Sequence, residues 1–141
     1  MSDERSAPRR VLFVCIGNSC RSVLAEYLGR RAFGNAVTFE SAGIKPQNAA
    51  DAKDAVCTLK KNFGIDASNH VPRDVRSLDL TKYDLIIGFE KSVVKVVEEL
   101  GVSPSRVELW KVRDPWGDDL TEYEEASVEI QRYLRKLKAL G

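Results

Sequence analysis

Short apolar runs alternate with amphipathic helical patterns from one end of the sequence to the other. Val11-Leu12-Phe13-Val14 is unbroken in its apolarity, as expected of a strand buried on both faces. A helical pattern opens at Ser22, with Leu24 and Leu28 on one face, Glu26 in the first turn and Gly34-Asn35 as its end. Val37 to Glu40 reads as a second strand stopping at Ser41-Ala42-Gly43. Residues 49 to 63 read as helix, with Ala52, Val56, Leu59 and Phe63 on one stripe and Gly64 as the stop. Cys57 is placed on that apolar face as a small core residue, and Lys53, Lys60 and Lys61 on a solvated one. Leu85-Ile86-Ile87 is a third strand and feeds a helix from Lys91 to Leu100. Val107 to Trp110 is a fourth strand, and a last helix over 119–140 carries Leu120, Tyr123, Ile130, Leu134 and Leu137 on one stripe. Strands and helices in alternation imply right-handed crossovers and a parallel sheet. The expected fold is α/β: one doubly wound domain, a four-stranded parallel sheet with helices on both faces.

A chain of 141 residues leaves room for one domain of ordinary size. The opening MSDERSAPRR is polar and lacks the apolar stretch of a signal peptide, so residues 1–10 are expected to be a disordered tail and 11–141 the folded domain. Lys plus Arg number 22 and Asp plus Glu 21, a balance that advertises neither a nucleic-acid nor a membrane partner. No apolar run approaches the roughly 20 residues of a membrane span. Three Cys and one His are too few for a disulfide scaffold or a zinc site of the usual composition. These features point to a cytoplasmic protein with reduced thiols and no metal.

In doubly wound sheets the ligand site lies beyond the carboxyl ends of the strands, and the first strand-to-helix loop is its usual place. Here that loop runs Cys15-Ile16-Gly17-Asn18-Ser19-Cys20-Arg21. Gly17 and Asn18 are residue types that tolerate left-handed backbone, so the loop can curl with its N–H groups inward. The start of the next helix adds free N–H groups and partial positive charge. Together they make a cradle for a tetrahedral oxyanion spanning Ile16 to Ser22. Arg21 can offer two of its oxygens a guanidinium fork. Cys15 at the base would stand as a thiolate, a nucleophile aimed at phosphorus. The same loop lacks the Gly-x-Gly-x-x-Gly of dinucleotide binding, and the chain has no Gly-Lys-Ser/Thr of nucleotide hydrolysis.

Val11 to Ser22 resembles the signature loop of the low-molecular-weight protein tyrosine phosphatases, including their bacterial arginine-phosphatase and arsenate-reductase-like branches. The resemblance continues in Ser41-Ala42-Gly43, in His70 with Arg73, in Asp84 through Glu90 and in Asp114-Pro115-Trp116. Departures are Val23 where Pro is usual, Pro72 for Ala, Gly88-Phe89 for Ala-Met and Trp116 for Tyr or Phe. None removes a catalytic group. The family implies a flavodoxin-like, phosphotyrosine phosphatase I-like fold and a phosphocysteine intermediate formed without a cofactor. It implies Cys15 as nucleophile, Arg21 as oxyanion holder and Asp114 as general acid, then base. Ser22 would support the Cys15 sulfur, while Asn18, Ser41 and His70 would hold the loop. Cys20 is either a buried neighbour or the partner of Cys15 in a reversible disulfide.

Ile16, Trp116 and Gln47, the last within Lys45-Pro46-Gln47-Asn48, are expected to line the mouth. Two of the three are apolar and suit a flat ring, which favours phosphotyrosine in a protein or peptide, with inorganic phosphate as product. Gln47 stands where many tyrosine-specific members carry an aromatic residue. The Asp114 loop also resembles arginine phosphatases, which carry Thr where this chain has Ile16; that activity is the alternative. A thiol-coupled arsenate reductase is a further one, although residues 64 to 114 contain no Cys for a relay. A monomer or weak dimer is expected.

Overall fold

The computed structural model describes residues 8–139. Strand β1 (Arg10–Cys15) is followed by helix α1 (Arg21–Phe33), and β2 (Thr38–Gly43) by α2 (Lys53–Phe63). After a long connection come β3 (Leu85–Gly88), α3 (Lys91–Glu99), β4 (Val107–Leu109) and α4 (Leu120–Lys138). All strands pair in parallel in the order β2-β1-β3-β4. The doubly wound, four-stranded α/β expectation therefore holds.

Alternation along β1 divides the core. Val11, Phe13 and Cys15 face one layer with α1, α2 and α4, through Leu24, Leu59, Tyr123 and Ile130. Leu12 and Val14 face the other, with Val93 and Val97 of α3 and with Val75 and Tyr83 of the connecting segment. Because β1 is covered on both faces and flanked by strands on both sides, the loop leaving its carboxyl end starts from the most constrained strand.

Several boundaries differ from expectation. β1 begins at Arg10, where the N–H groups of Arg9 and Arg10 both donate to Asp84 Oδ2, at 2.8 and 2.9 Å. Of the polar tail expected over 1–10, Arg10 stands in β1 and Arg9 bonds to Asp84, while residues 1–7 lie outside the described residues. β2 continues through Ser41-Ala42-Gly43 instead of stopping there, since all three pair with Phe13 to Cys15. The helix expected from residue 49 opens as a 3₁₀ turn, with Asn48 and Asp51 in a reciprocal capping box. Cys57 is exposed, not a core residue. Ala52, Ala55 and Leu59 define the buried stripe, and at about 100° per residue Cys57 falls on the opposite side. Lys53, Lys60 and Lys61 are exposed, as expected. Among the described residues no helix is long and apolar enough to cross a membrane, and no cluster of His, Cys, Asp or Glu is arranged to hold a metal.

Candidate active site

The segment from Cys15 to Arg21 wraps around a single left-handed residue, Asn18, with φ of 54°. Asparagine tolerates that conformation better than most residues. The curl turns the loop's carbonyls outward. Cys15 O, Ile16 O and Gly17 O accept bonds from Ile44, Lys45 and Gln47 N–H at 3.1, 2.8 and 3.0 Å, and Asn18 O lies 2.8 Å from His70 Nε2. Among the described residues, no acceptor takes the N–H groups of Gly17, Asn18, Ser19 or Cys20. A run of inward amides of this kind is an anion-binding nest. Close approach of β2 to the loop depends on Gly43, where a Cβ would meet Ile16 O at 2.7 Å and Asn18 N at 2.9 Å.

At the base of the loop, Cys15 Sγ lies 2.9 Å from Ser22 Oγ, and both side chains are buried. Asn18 Nδ2 donates to Ser22 Oγ and to Ser41 Oγ, each at 2.9 Å. Its Oδ1 accepts from Arg73 N–H at 2.9 Å. One asparagine therefore ties the loop to α1, to β2 and to the segment after His70. Replacing Asn18 with alanine is expected to cost about 2–4 kcal/mol, from lost buried hydrogen bonds and left-handed strain. A urea titration that finds less than about 1 kcal/mol would show that the network does not hold the loop.

Arg21 opens α1 and is buried. Its Nη1 donates to Phe89 O at 3.1 Å and to Val112 O at 3.0 Å, the ends of the β3 and β4 connections. Nη2 pairs with Glu90 Oε1 at 2.7 Å and lies 3.6 Å from Asp114 Oδ2. Nε is buried and, among the described residues, has no hydrogen-bond partner. A buried donor left unpaired is costly, and an oxyanion in the loop would satisfy it, with the remaining Nη2 proton completing a fork. Asp114 Oδ1 accepts from Trp116 N–H at 3.0 Å, which fixes the carboxylate at the start of its loop. Trp116 itself is 45% exposed.

The structure thus gathers Cys15, Asn18, Ser22, Ser41 and His70 into one bonded cluster and sets Arg21 beside Asp114. Cys20 is a free, buried thiol with Sγ 3.4 Å from Tyr123 Oη. Burial, the dominant cause, pushes this thiol up to about 11, against the hydrogen bonds from Tyr123 and Ser19, so it stays protonated near neutral pH. Gln47 does more than border a mouth. Its Oε1 accepts a bond from Ser19 Oγ, and its side chain fills the space a Cβ on Gly17 would need. Ile16 is half-buried against the second core layer.

Two acidic residues escaped the sequence reading of the site. Glu26 is buried and takes a bond from Ser41 Oγ and an ion pair from Arg30. Burial raises its carboxyl above the usual range, with Ser41 and Arg30 acting in the opposite sense. Its place four residues after Ser22, on the same helix face, was the available signal. Glu90, which orients Arg21, sits just past the carboxyl end of β3, where sites on parallel sheets collect.

The model of the low molecular weight phosphotyrosine protein phosphatases matches residues 10–140. Among curated relatives, an arsenate reductase of Brevibacillus brevis is 32% identical over 133 residues, covering 94% of this chain and 96% of that protein. The low molecular weight protein-tyrosine-phosphatase Ptp of Acinetobacter johnsonii is 32% identical over 130 residues, covering 87% and 91%. Among solved structures, a low molecular weight protein tyrosine phosphatase from T. tengcongensis superposes with a TM-score of 0.83 at 32% identity, covering 93% of this chain and 98% of that one. The match runs through the strand–loop–helix unit and the Asp114 loop alike, and on it the chain belongs to the low-molecular-weight phosphotyrosine protein phosphatase family of enzymes.

Proposed function

We propose that the chain is a protein tyrosine phosphatase that hydrolyses phosphotyrosine and other aryl phosphates through a phosphocysteine intermediate. The observation that carries this reading is the Cys15 sulfur, 2.9 Å from Ser22 Oγ, under a loop whose amides and Arg21 Nε are unpaired donors. In the first step the Cys15 thiolate attacks phosphorus, the P–O bond to the aryl group breaks, and the Asp114 carboxyl gives its proton to the leaving oxygen. Loop amides and Arg21 hold the equatorial oxygens as charge moves onto them. In the second step the Asp114 carboxylate takes a proton from water, which attacks phosphorus and releases phosphate and the Cys15 thiolate. Ser22 supports the sulfur as attacking and then leaving group.

The ring of the substrate would rest between Ile16 and Trp116, with Gln47 at the loop side. An aliphatic Ile16 offers a flat apolar contact and no hydroxyl for a guanidinium, which favours an aryl ester over phosphoarginine. Cys occurs only at positions 15, 20 and 57, and Cys57 lies exposed on α2, so no thiol relay supports arsenate reduction. We place the activity in the cytoplasm, with a phosphotyrosine-bearing protein as partner.

The test is turnover of phenyl phosphate and p-nitrophenyl phosphate by the reduced chain in the presence of a chelator. Asp114→Asn is expected to lower kcat on phenyl phosphate by about 10²–10³-fold. The loss should be smaller on p-nitrophenyl phosphate, whose leaving group needs little protonation. An equal loss on both esters would remove Asp114 from the acid role. Failure of the natural chain on both, with activity on phosphoarginine or arsenate instead, would overturn the aryl reading.

A further inference from the structure

A cavity of about 670 Å³ is lined by Arg21 and Asp114 together with the segments that follow β3 and β4. Its apolar floor includes Phe89 and Val112, both buried. Lys91, Lys111 and Arg113 stand on its walls, all exposed. Their charges are not equally available. Arg113 already pairs with Glu122 at 2.6 Å and Asp118 at 3.5 Å. Lys91 and Lys111, by contrast, have no carboxylate partner among the described residues. The two carboxylates that border the cavity, Glu90 and Asp114, both face Arg21.

We propose that this groove is a subsite for a carboxylate-bearing side chain of the substrate, two or three residues from the phosphorylated one. The proposal rests on the phosphatase reading of the adjoining loop and adds a preference in sequence context. Spacing supports it. Lys111 is three residues from Asp114 and Lys91 adjoins Glu90, whose carboxylate touches the Arg21 guanidinium. An extended peptide advances about 3.3 Å per residue, so a neighbour two or three positions away lies about 7–10 Å from the phosphorylated residue. The methylenes of a glutamate would lie along Phe89 and Val112 while its carboxylate meets the two ammonium groups. A net charge of only +1 over the whole chain makes the preference a local one rather than a general attraction to acidic protein.

The experiment compares phosphotyrosine peptides carrying Glu pairs or Gln pairs at the second and third positions on either side, using the natural chain and Lys91→Gln/Lys111→Gln. For the natural chain at low salt, kcat/KM is expected to favour an acidic peptide by about 5–20-fold. The ratio should shrink as ionic strength rises from about 0.02 M to about 0.3 M. In the double variant it should fall below about twofold, with p-nitrophenyl phosphate turnover unchanged. No preference in the natural chain, or a preference that survives in the variant, overturns the subsite. Affinities of the same peptides for Cys15→Ser protein give the ratio without catalysis. A natural chain inactive on aryl phosphates would therefore sink the proposed activity, while that affinity ratio still decides the groove.

Discussion

Replacing Cys15 with serine is expected to lower aryl phosphate turnover by about 10⁴-fold or more, as loss of a covalent nucleophile does elsewhere. Its affinity for phosphate should stay within about threefold of the natural chain's, because the groups proposed to bind the anion are left in place. The separation follows from how the loop is built. Its curvature is held by Asn18, by the bonds from Ile44, Lys45 and Gln47, and by His70, none of which involves the sulfur. Among the described residues the sulfur has one polar neighbour, Ser22 Oγ, and a serine hydroxyl can keep that contact. What the variant loses is nucleophilicity. A hydroxyl needs a base to attack phosphorus, and among the described residues no carboxylate or imidazole bonds to this side chain. Rate measurement alone would not separate a dead nucleophile from a collapsed loop, so phosphate binding by calorimetry belongs beside it. Retained turnover would remove Cys15 from the reaction; lost turnover with lost binding would mean that the sulfur also shapes the loop.

Much of this site could be read in advance because it is contiguous. A strand, a turn with Gly17-Asn18 and a helix beginning at Arg21 lie within twelve residues, and backbone geometry carries each into place. The sheet was legible for the same reason: apolar runs such as Leu85-Ile86-Ile87 have no environment but a buried one. What escaped depends on partners distant in sequence. Ser41-Ala42-Gly43 reads as a strand end because small residues signal turns, yet Gly43 is in the strand since only a glycine lets β2 lie against Ile16 and Asn18. Cys57 differs from expectation because Ala55, not Val56, joins Ala52 and Leu59 on the buried stripe, which turns Cys57 toward the opposite side. Glu26 and Glu90 have ordinary helix-surface residue types. Only the fold brings Ser41 to the first and Arg21 to the second.

Phe13→Ala is expected to be the most destabilising single truncation, at about 3–5 kcal/mol, against a total stability of about 5–15 kcal/mol for a domain of this kind. Phe13 is fully buried at the middle of β1. Its ring stacks on Phe39 at 5.5 Å and Phe89 at 6.0 Å and tilts against Trp110 at 5.4 Å. Trp110 in turn stacks on Tyr133 of α4 at 4.9 Å. One side chain thus joins three strand ends and the last helix, and the rigid rings around it cannot close over the void its removal leaves. Phe13→Leu keeps most of the volume and should cost about 1–1.5 kcal/mol. Alanine at exposed Val128, by comparison, should change stability by less than about 0.5 kcal/mol. The effect reaches the chemistry, because Phe89 O is one of the two carbonyls that hold Arg21 Nη1. With the void left open, the Phe89 ring loses the stacked support of Phe13, and the backbone that holds its carbonyl against Arg21 loosens with it. The folded fraction of Phe13→Ala should therefore show a lower kcat/KM on aryl phosphates than Phe13→Leu, while Val128→Ala matches the natural chain. Urea unfolding with a common m-value supplies the stabilities. A loss below about 1.5 kcal/mol for Phe13→Ala would show that the aromatic cluster yields readily, and the predicted loosening of Arg21 would lose its cause.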